Sequence, residues 1–116
     1  MTREKKELLF KDLCERLPYG VKYQDKTEGG VHILTLGIIS HYERFIPFLR
    51  PMSSMTKEEY EELKSVEPYY GLAPFKFIGD WGPNFEVLDW LNAHHFDYRG
   101  LIEKGLALEA PEGMYE

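Results

Sequence analysis

One cysteine, Cys14, stands alone among the 116 residues. A single thiol excludes an internal disulfide and any C-x-x-C metal or redox motif, so this is not a disulfide-stapled scaffold. Long hydrophobic runs are missing too. No stretch approaches the ~18 apolar residues of a membrane-crossing helix, and the opening Met-Thr-Arg-Glu-Lys-Lys-Glu has no apolar signal core. Basic charge is short: 14 Lys and Arg face 20 Asp and Glu, for a net charge of −6. A phosphate backbone or an anionic membrane needs a basic surface, so nucleic acid is an unlikely partner and no membrane partner is expected. The expected compartment is the cytoplasm.

Phosphate-binding and nucleophile motifs are also lacking. There is no G-x-G-x-x-G or G-x-x-x-x-G-K, and Gly29-Gly30 precedes a strand pattern where a phosphate loop would precede a helix. None of Ser53, Ser54 and Ser65 lies in a G-x-S-x-G context. What is present suits a single folded domain. Aromatic residues make up 15% of the chain, too many for a disordered segment, and its length is that of one domain with one core. Residues 1–110 are expected to form that domain, with residues 111–116 as a frayed tail.

Leu9, Phe10, Leu13, Cys14 and Leu17 share one side of a helical wheel, with Lys11, Asp12, Glu15 and Arg16 opposite. This predicts a core-facing helix capped by Thr2 and ended by Pro18 and Gly20, with Cys14 as a buried, inert thiol. A short strand at Val21–Gln24 and a loop at 25–30 precede Val31–Ile39, whose apolar residues occupy both parities, as in a central strand covered on both faces. Phe45–Leu49 is a further strand that Pro47 confines to an edge or a bulge. Thr56 and Glu59 form a capping box before a surface helix running to about Val66. Two C-terminal helices are expected, one from about Phe85 to His95 and a shorter one from Asp97, its N-cap, to Lys104, with Gly105 beyond it. The predicted fold is α+β: a small antiparallel sheet of three to four strands, packed by the N-terminal helix and the C-terminal helices.

Two regions carry the candidate functional residues. The first is the corner formed by His94, His95, Asp97, Tyr98 and Arg99. On the wheel both imidazoles fall in the apolar arc with Val87, Leu88, Trp90 and Leu91, while Glu86, Asp89, Asn92 and Ala93 lie opposite. Adjacent histidines on a helix diverge by about 100° and do not chelate one ion, unlike the i, i+4 pair of H-E-x-x-H. No metal site, cofactor or catalytic set is therefore assigned. The corner is either hydrogen-bonded core or a ligand or partner site. The second region is the loop at 67–84, whose Tyr69, Tyr70 and Trp81 are spaced by Gly and Pro and could anchor a partner or fold back as a lid. Phe75–Ile78 within it is a possible strand.

Residues 49–56, Leu-Arg-Pro-Met-Ser-Ser-Met-Thr, and 89–110, with Trp-Leu-Asn-Ala-His-His-Phe-Asp-Tyr-Arg-Gly, resemble a family of small uncharacterised bacterial proteins associated with prophages and other mobile elements. The resemblance implies a bacterial, cytoplasmic, phage-linked role and carries no activity onto any residue. The functional expectation is a non-enzymatic accessory or interaction protein with a protein partner. The alternative is a small metal- or ligand-dependent enzyme using His41, His94, His95 and Asp97.

Overall fold

The computed structural model describes residues 2–66 and 85–115. The aromatic loop, with Tyr69, Tyr70, Trp81 and the possible strand at 75–78, lies outside the described residues. Helix α1 spans Arg3–Arg16 and starts where Thr2 caps it, its hydroxyl accepting the amide of Lys5. The face it buries differs from the expected one. Leu9, Asp12, Leu13 and Arg16 are enclosed, an unbroken i, i+3, i+4, i+7 stripe, while Phe10 and Cys14 are exposed. The helix is turned by close to one residue step because Asp12 and Arg16 neutralise each other and can enter the core together. The thiol expected inside faces solvent.

After a 3-10 turn at Leu17–Tyr19, strand β1 (Lys22–Asp25) runs into a tight loop. There the Asp25 carboxylate accepts the amides of Thr27 and Glu28, and Gly29 takes φ +77°, as only glycine does without strain. Strand β2 returns antiparallel but ends after Val31–Ile33. The predicted central strand at 31–39 is therefore only a three-residue strand at the edge of the sheet. Leu34 and Ile39 are both buried, but the chain reaches them through a turn closed by Ile38 N to Thr35 O and a 3-10 segment at Ile39–Arg44. Apolar residues at both parities came from a turn that buries its ends.

Strand β3 (Phe45–Pro51) takes the central place, pairing with β1, β4 (Phe96–Asp97) and β5 (Leu108–Glu109). The pairing order is β2-β1-β3-β4, with β5 also on β3. β1 pairs antiparallel to β2 and β3, whereas β4 and β5 run parallel to β3, so the α+β sheet is mixed and not purely antiparallel. Pro47 is tolerated in this strand because of phase. Lys26 N donates to Arg44 O, so even-numbered residues of β3 address β1, and the donorless nitrogen of Pro47 points the other way.

Helices α2 (Lys57–Val66) and α3 (Phe85–Ala93) complete the fold. The capping box forms as expected, with Glu59 N to Thr56 Oγ1 at 3.1 Å and Thr56 N to Glu59 Oε1 at 3.0 Å. Leu63, Val87, Trp90, Leu91 and Phe96 make one buried cluster, and α1 packs on a larger one around Val21, Phe45, Leu49 and Leu101. The second C-terminal helix is reduced to a single turn at 101–105. Both its end signals still work: Asp97 accepts the amides of Leu101 and Ile102. Gly105, at φ +74°, closes a Schellman motif in which Leu106 N reaches Leu101 O and Gly105 N reaches Ile102 O.

Residues 111–115, expected as a frayed tail, are tied to the sheet through Tyr115. In register Lys22 would face Phe48, the next rung after Tyr23 and Pro47. The Tyr115 hydroxyl occupies that rung, accepting Lys22 N at 2.8 Å and donating to Phe48 O at 2.7 Å. Replacing Tyr115 by Phe should leave both backbone groups unpaired and lower unfolding free energy by about 1–3 kcal/mol in urea titrations; an unchanged midpoint would mean the tail is not part of the folded unit.

Candidate functional site

Helix α3 ends where its last turn passes into β4. His94 still donates its amide to Trp90 O, but His95 adopts φ 65°, a left-handed conformation that His visits more readily than most residues. That reversal aims the chain along β3, and Arg50 N then bonds His95 O at 2.8 Å. The two imidazoles consequently part company. His94 stacks on Trp90 at 4.0 Å and stays one-third exposed, with its ring nitrogens 3.8 Å from carboxylate oxygens of Glu59 and Glu62. His95 is buried and stacks on Tyr115 at 3.7 Å. Burial, and then electrostatic repulsion from Arg16, His94, Arg50 and Lys22, push the His95 pKa down to about 4.

The five predicted corner residues thus do three separate jobs. Asp97 holds the turn at 101–102 with both carboxylate oxygens. Tyr98 and Arg99 face α1. Arg99 places Nη1 2.6 Å from Asp12 Oδ1 and Nη2 2.5 Å from Glu15 Oε2. Arg16 binds the other Asp12 oxygen through Nε at 2.6 Å and donates from Nη2 to Phe96 O at 2.6 Å. Tyr98 lies between the two guanidiniums, 5.2 Å from Arg16 and 4.7 Å from Arg99, with its hydroxyl 2.9 Å from Asn92 Oδ1 and 3.1 Å from Glu15 Oε2. Burial raises the Tyr98 pKa to about 12. Burial also pushes the Glu15 carboxyl up, but the hydrogen bond and charge of Arg99 outweigh it and hold that carboxyl below its usual range. Asn92, placed on the polar side of the α3 wheel, is buried to serve this cluster, while Asp89 is exposed as the wheel requires. The side chain of Glu86 lies outside those described.

The open face of the corner is a cleft of roughly 550 Å³ between the start of α2 and the segment after β5. Arg50, Glu59, His94, Glu109, Glu112 and Tyr115 are among the residues that line it. Arg50 lies 4.2 Å from the Phe96 ring and grips Glu59 with two bonds of 2.7 Å. That pairing first, against some burial, holds Glu59 down at about 2. Among the described residues, Glu109 and Glu112 form no ion pair.

Sequence reasoning missed Asp12, Glu15, Arg16, Arg50, Glu59 and Tyr115 as participants. One signal was available: Asp12 and Arg16 share the i, i+3, i+4, i+7 spacing of Leu9 and Leu13. The histidines do not converge. His41 is exposed on the 3-10 segment beside β3, and His32 is exposed in β2, beside Tyr23. Among the described residues no group of three or more His, Cys, Asp or Glu is close enough to hold a metal ion.

Two measurements test this electrostatic picture. Asp12→Ala should cost about 3–5 kcal/mol, because it leaves Arg16 enclosed and uncompensated, whereas Asp89→Ala on the exposed side of α3 should change stability by less than ~0.5 kcal/mol. The His95 imidazole titrates near 6.5 when unfolded and near 4 when folded. The unfolded chain therefore binds the extra proton, and the stability this group contributes is complete above pH 6.5 and declines as pH falls toward 4. His95→Asn, which also accepts a left-handed backbone, should flatten the decline in urea midpoint between pH 7 and 5; an unchanged slope would assign that decline to other groups.

Among the described residues, no helix is long and apolar enough to cross a membrane. Compared with known proteins, the chain matches no family model, no curated protein and no solved structure, and nothing in those comparisons bears on the resemblance noted for residues 49–56 and 89–110.

Proposed function

We propose that the protein is a non-enzymatic interaction module that binds a protein partner, taking a Lys- or Arg-bearing segment of it into the cleft beside His94. The observation that carries this reading is the commitment of Asp97, Arg99 and Arg50 to the fold. Asp97 is occupied at both oxygens, Arg99 is paired with Asp12 and Glu15, and Arg50 with Glu59. These three groups already have partners and are not available to meet a substrate as a general acid or base must. What the cleft offers instead is shape and unbalanced negative charge from Glu109 and Glu112. A cationic peptide complements that charge, in keeping with the poor fit of an acidic chain to nucleic acid.

The aromatic loop, with Tyr69, Tyr70 and Trp81, is proposed as a second contact surface from its sequence alone. The resemblance supplies the setting, a cytoplasmic accessory role in a bacterial, phage-linked context. The enzyme alternative required His41 and Asp97 to join the double histidine, and no observation favours it.

A positional-scanning library of short peptides, read by fluorescence anisotropy, should show enrichment of Lys and Arg among the bound sequences. The double variant Glu109→Gln, Glu112→Gln should weaken the selected peptides about fivefold or more and flatten their salt dependence, as loss of two exposed charges requires. Selection of acidic peptides, or affinity untouched by the double variant, would remove the cleft as the binding surface.

A further inference from the structure

The polarity of strand β2 is inverted. Its middle residue, His32, lies on the same face as core residue Tyr23, opposite it in register and with ring centroids 5.5 Å apart. The apolar Val31 and Ile33 lie on the outer face beside Gln24 and Lys22. An edge strand with one wet face normally shows the reverse. Of the five large apolar side chains exposed among the described residues, three fall within six positions: Val31 at 51%, Ile33 at 57% and Leu36 at 76%.

The backbone of this strand is equally open. Leu34 N donates to Val21 O and Asp25 N donates to Gly30 O, so the even-numbered residues of this arm address β1. By alternation Val31 and Ile33 direct their N–H and C=O groups away from the sheet, where no described strand pairs with them. Residues 29–37 contain no Lys, Arg, Asp, Glu or Pro, the residues by which sheet edges are commonly guarded.

We propose that β2 is a dimerisation strand, joining two copies of this chain antiparallel across a twofold axis at His32. In that register Val31 faces Ile33 of the second copy and Ile33 faces its Val31, each pair exchanging two backbone hydrogen bonds, with the two His32 residues opposite each other between them. A second copy is the occupant for two reasons. The arrangement is self-complementary and closed, so outward-facing groups meet outward-facing groups and β-branched side chains meet across the strands. The segment is also uncharged, so the overall charge of −6 places no like-charge pair in the seam. This surface lies on β2 and is independent of the acidic cleft. A seam of three residues buries less than the ~1,200 Å² of a standard interface, so the dimer is weak and depends on concentration.

Sedimentation equilibrium on the full chain should show reversible dimerisation in the micromolar range. Ile33→Lys, a substitution at an exposed site, should weaken it by about tenfold or more, while Phe10→Lys, also exposed, should leave it unchanged. Register is tested in a Cys14→Ser background, where His32→Cys oxidised with diamide should give a covalent dimer and Leu36→Cys should not. A chain that stays monomeric throughout the concentration range, or a dimer indifferent to Ile33→Lys while that variant retains its helical circular dichroism, overturns the proposal.

Discussion

A single carboxylate holds the two halves of the described structure together. Asp12 is fully buried and gives one oxygen to Arg16 on its own helix and the other to Arg99 from the far end of the chain. Enclosing one of these charges alone would be prohibitive; as a set they carry each other's charge and hydrogen bonds. Because Asp12 and Arg16 can be enclosed, α1 presents a stripe containing two charges. Because Arg16 also holds Phe96 O, the start of β4 is fixed against the helix. The orientation of α1 and the path of residues 96–99 are two results of one interaction.

Much of the chemical density around residues 89–104 serves the fold. Asn92, His94, His95, Asp97, Tyr98 and Arg99 lie where a helix, a short strand and a tight turn meet within a few residues, leaving many backbone and side-chain groups to satisfy at once. Asp97 caps, Tyr98 and Arg99 join the ion network, and the two histidines divide between a solvent cleft and the interior. The cleft opens beside this junction, between the start of α2 and the segment after β5.

The parts of the fold legible in the sequence were those decided within a few residues. The Thr2 cap, the Thr56 and Glu59 box, the turn at Gly29 and the signals at Asp97 and Gly105 all involve partners within five positions of each other. The phase of α1 was not legible because it depends on Arg99, which lies 87 positions from Asp12. The strand at 31–39 failed for a related reason: burial of Leu34 and Ile39 follows from where α1 and β3 sit, and hydrophobicity alone does not distinguish a turn with buried ends from a strand. β4 and β5, two residues each, carry no periodic signal and exist only as additions to β3. The candidate corner was legible as a location, but the division of its residues among cleft, interior and ion network was not, because their partners on α1, α2 and Tyr115 lie far away in the sequence.

Tyr115 makes the order of synthesis matter. Strand β3 has its antiparallel partner upstream, available as soon as residue 51 has been made, but its remaining partners and the phenol that fills its open rung come only after residue 95. A nascent chain that has emerged only as far as α2 therefore carries a β1–β3 ladder with an incomplete rung and an unpaired flank. Such a flank is adhesive, and it stays so for the seconds that translation of the second half requires. Closure of the sheet is thus a late event, and any folding helper that engages this chain has its opportunity before the phenol arrives.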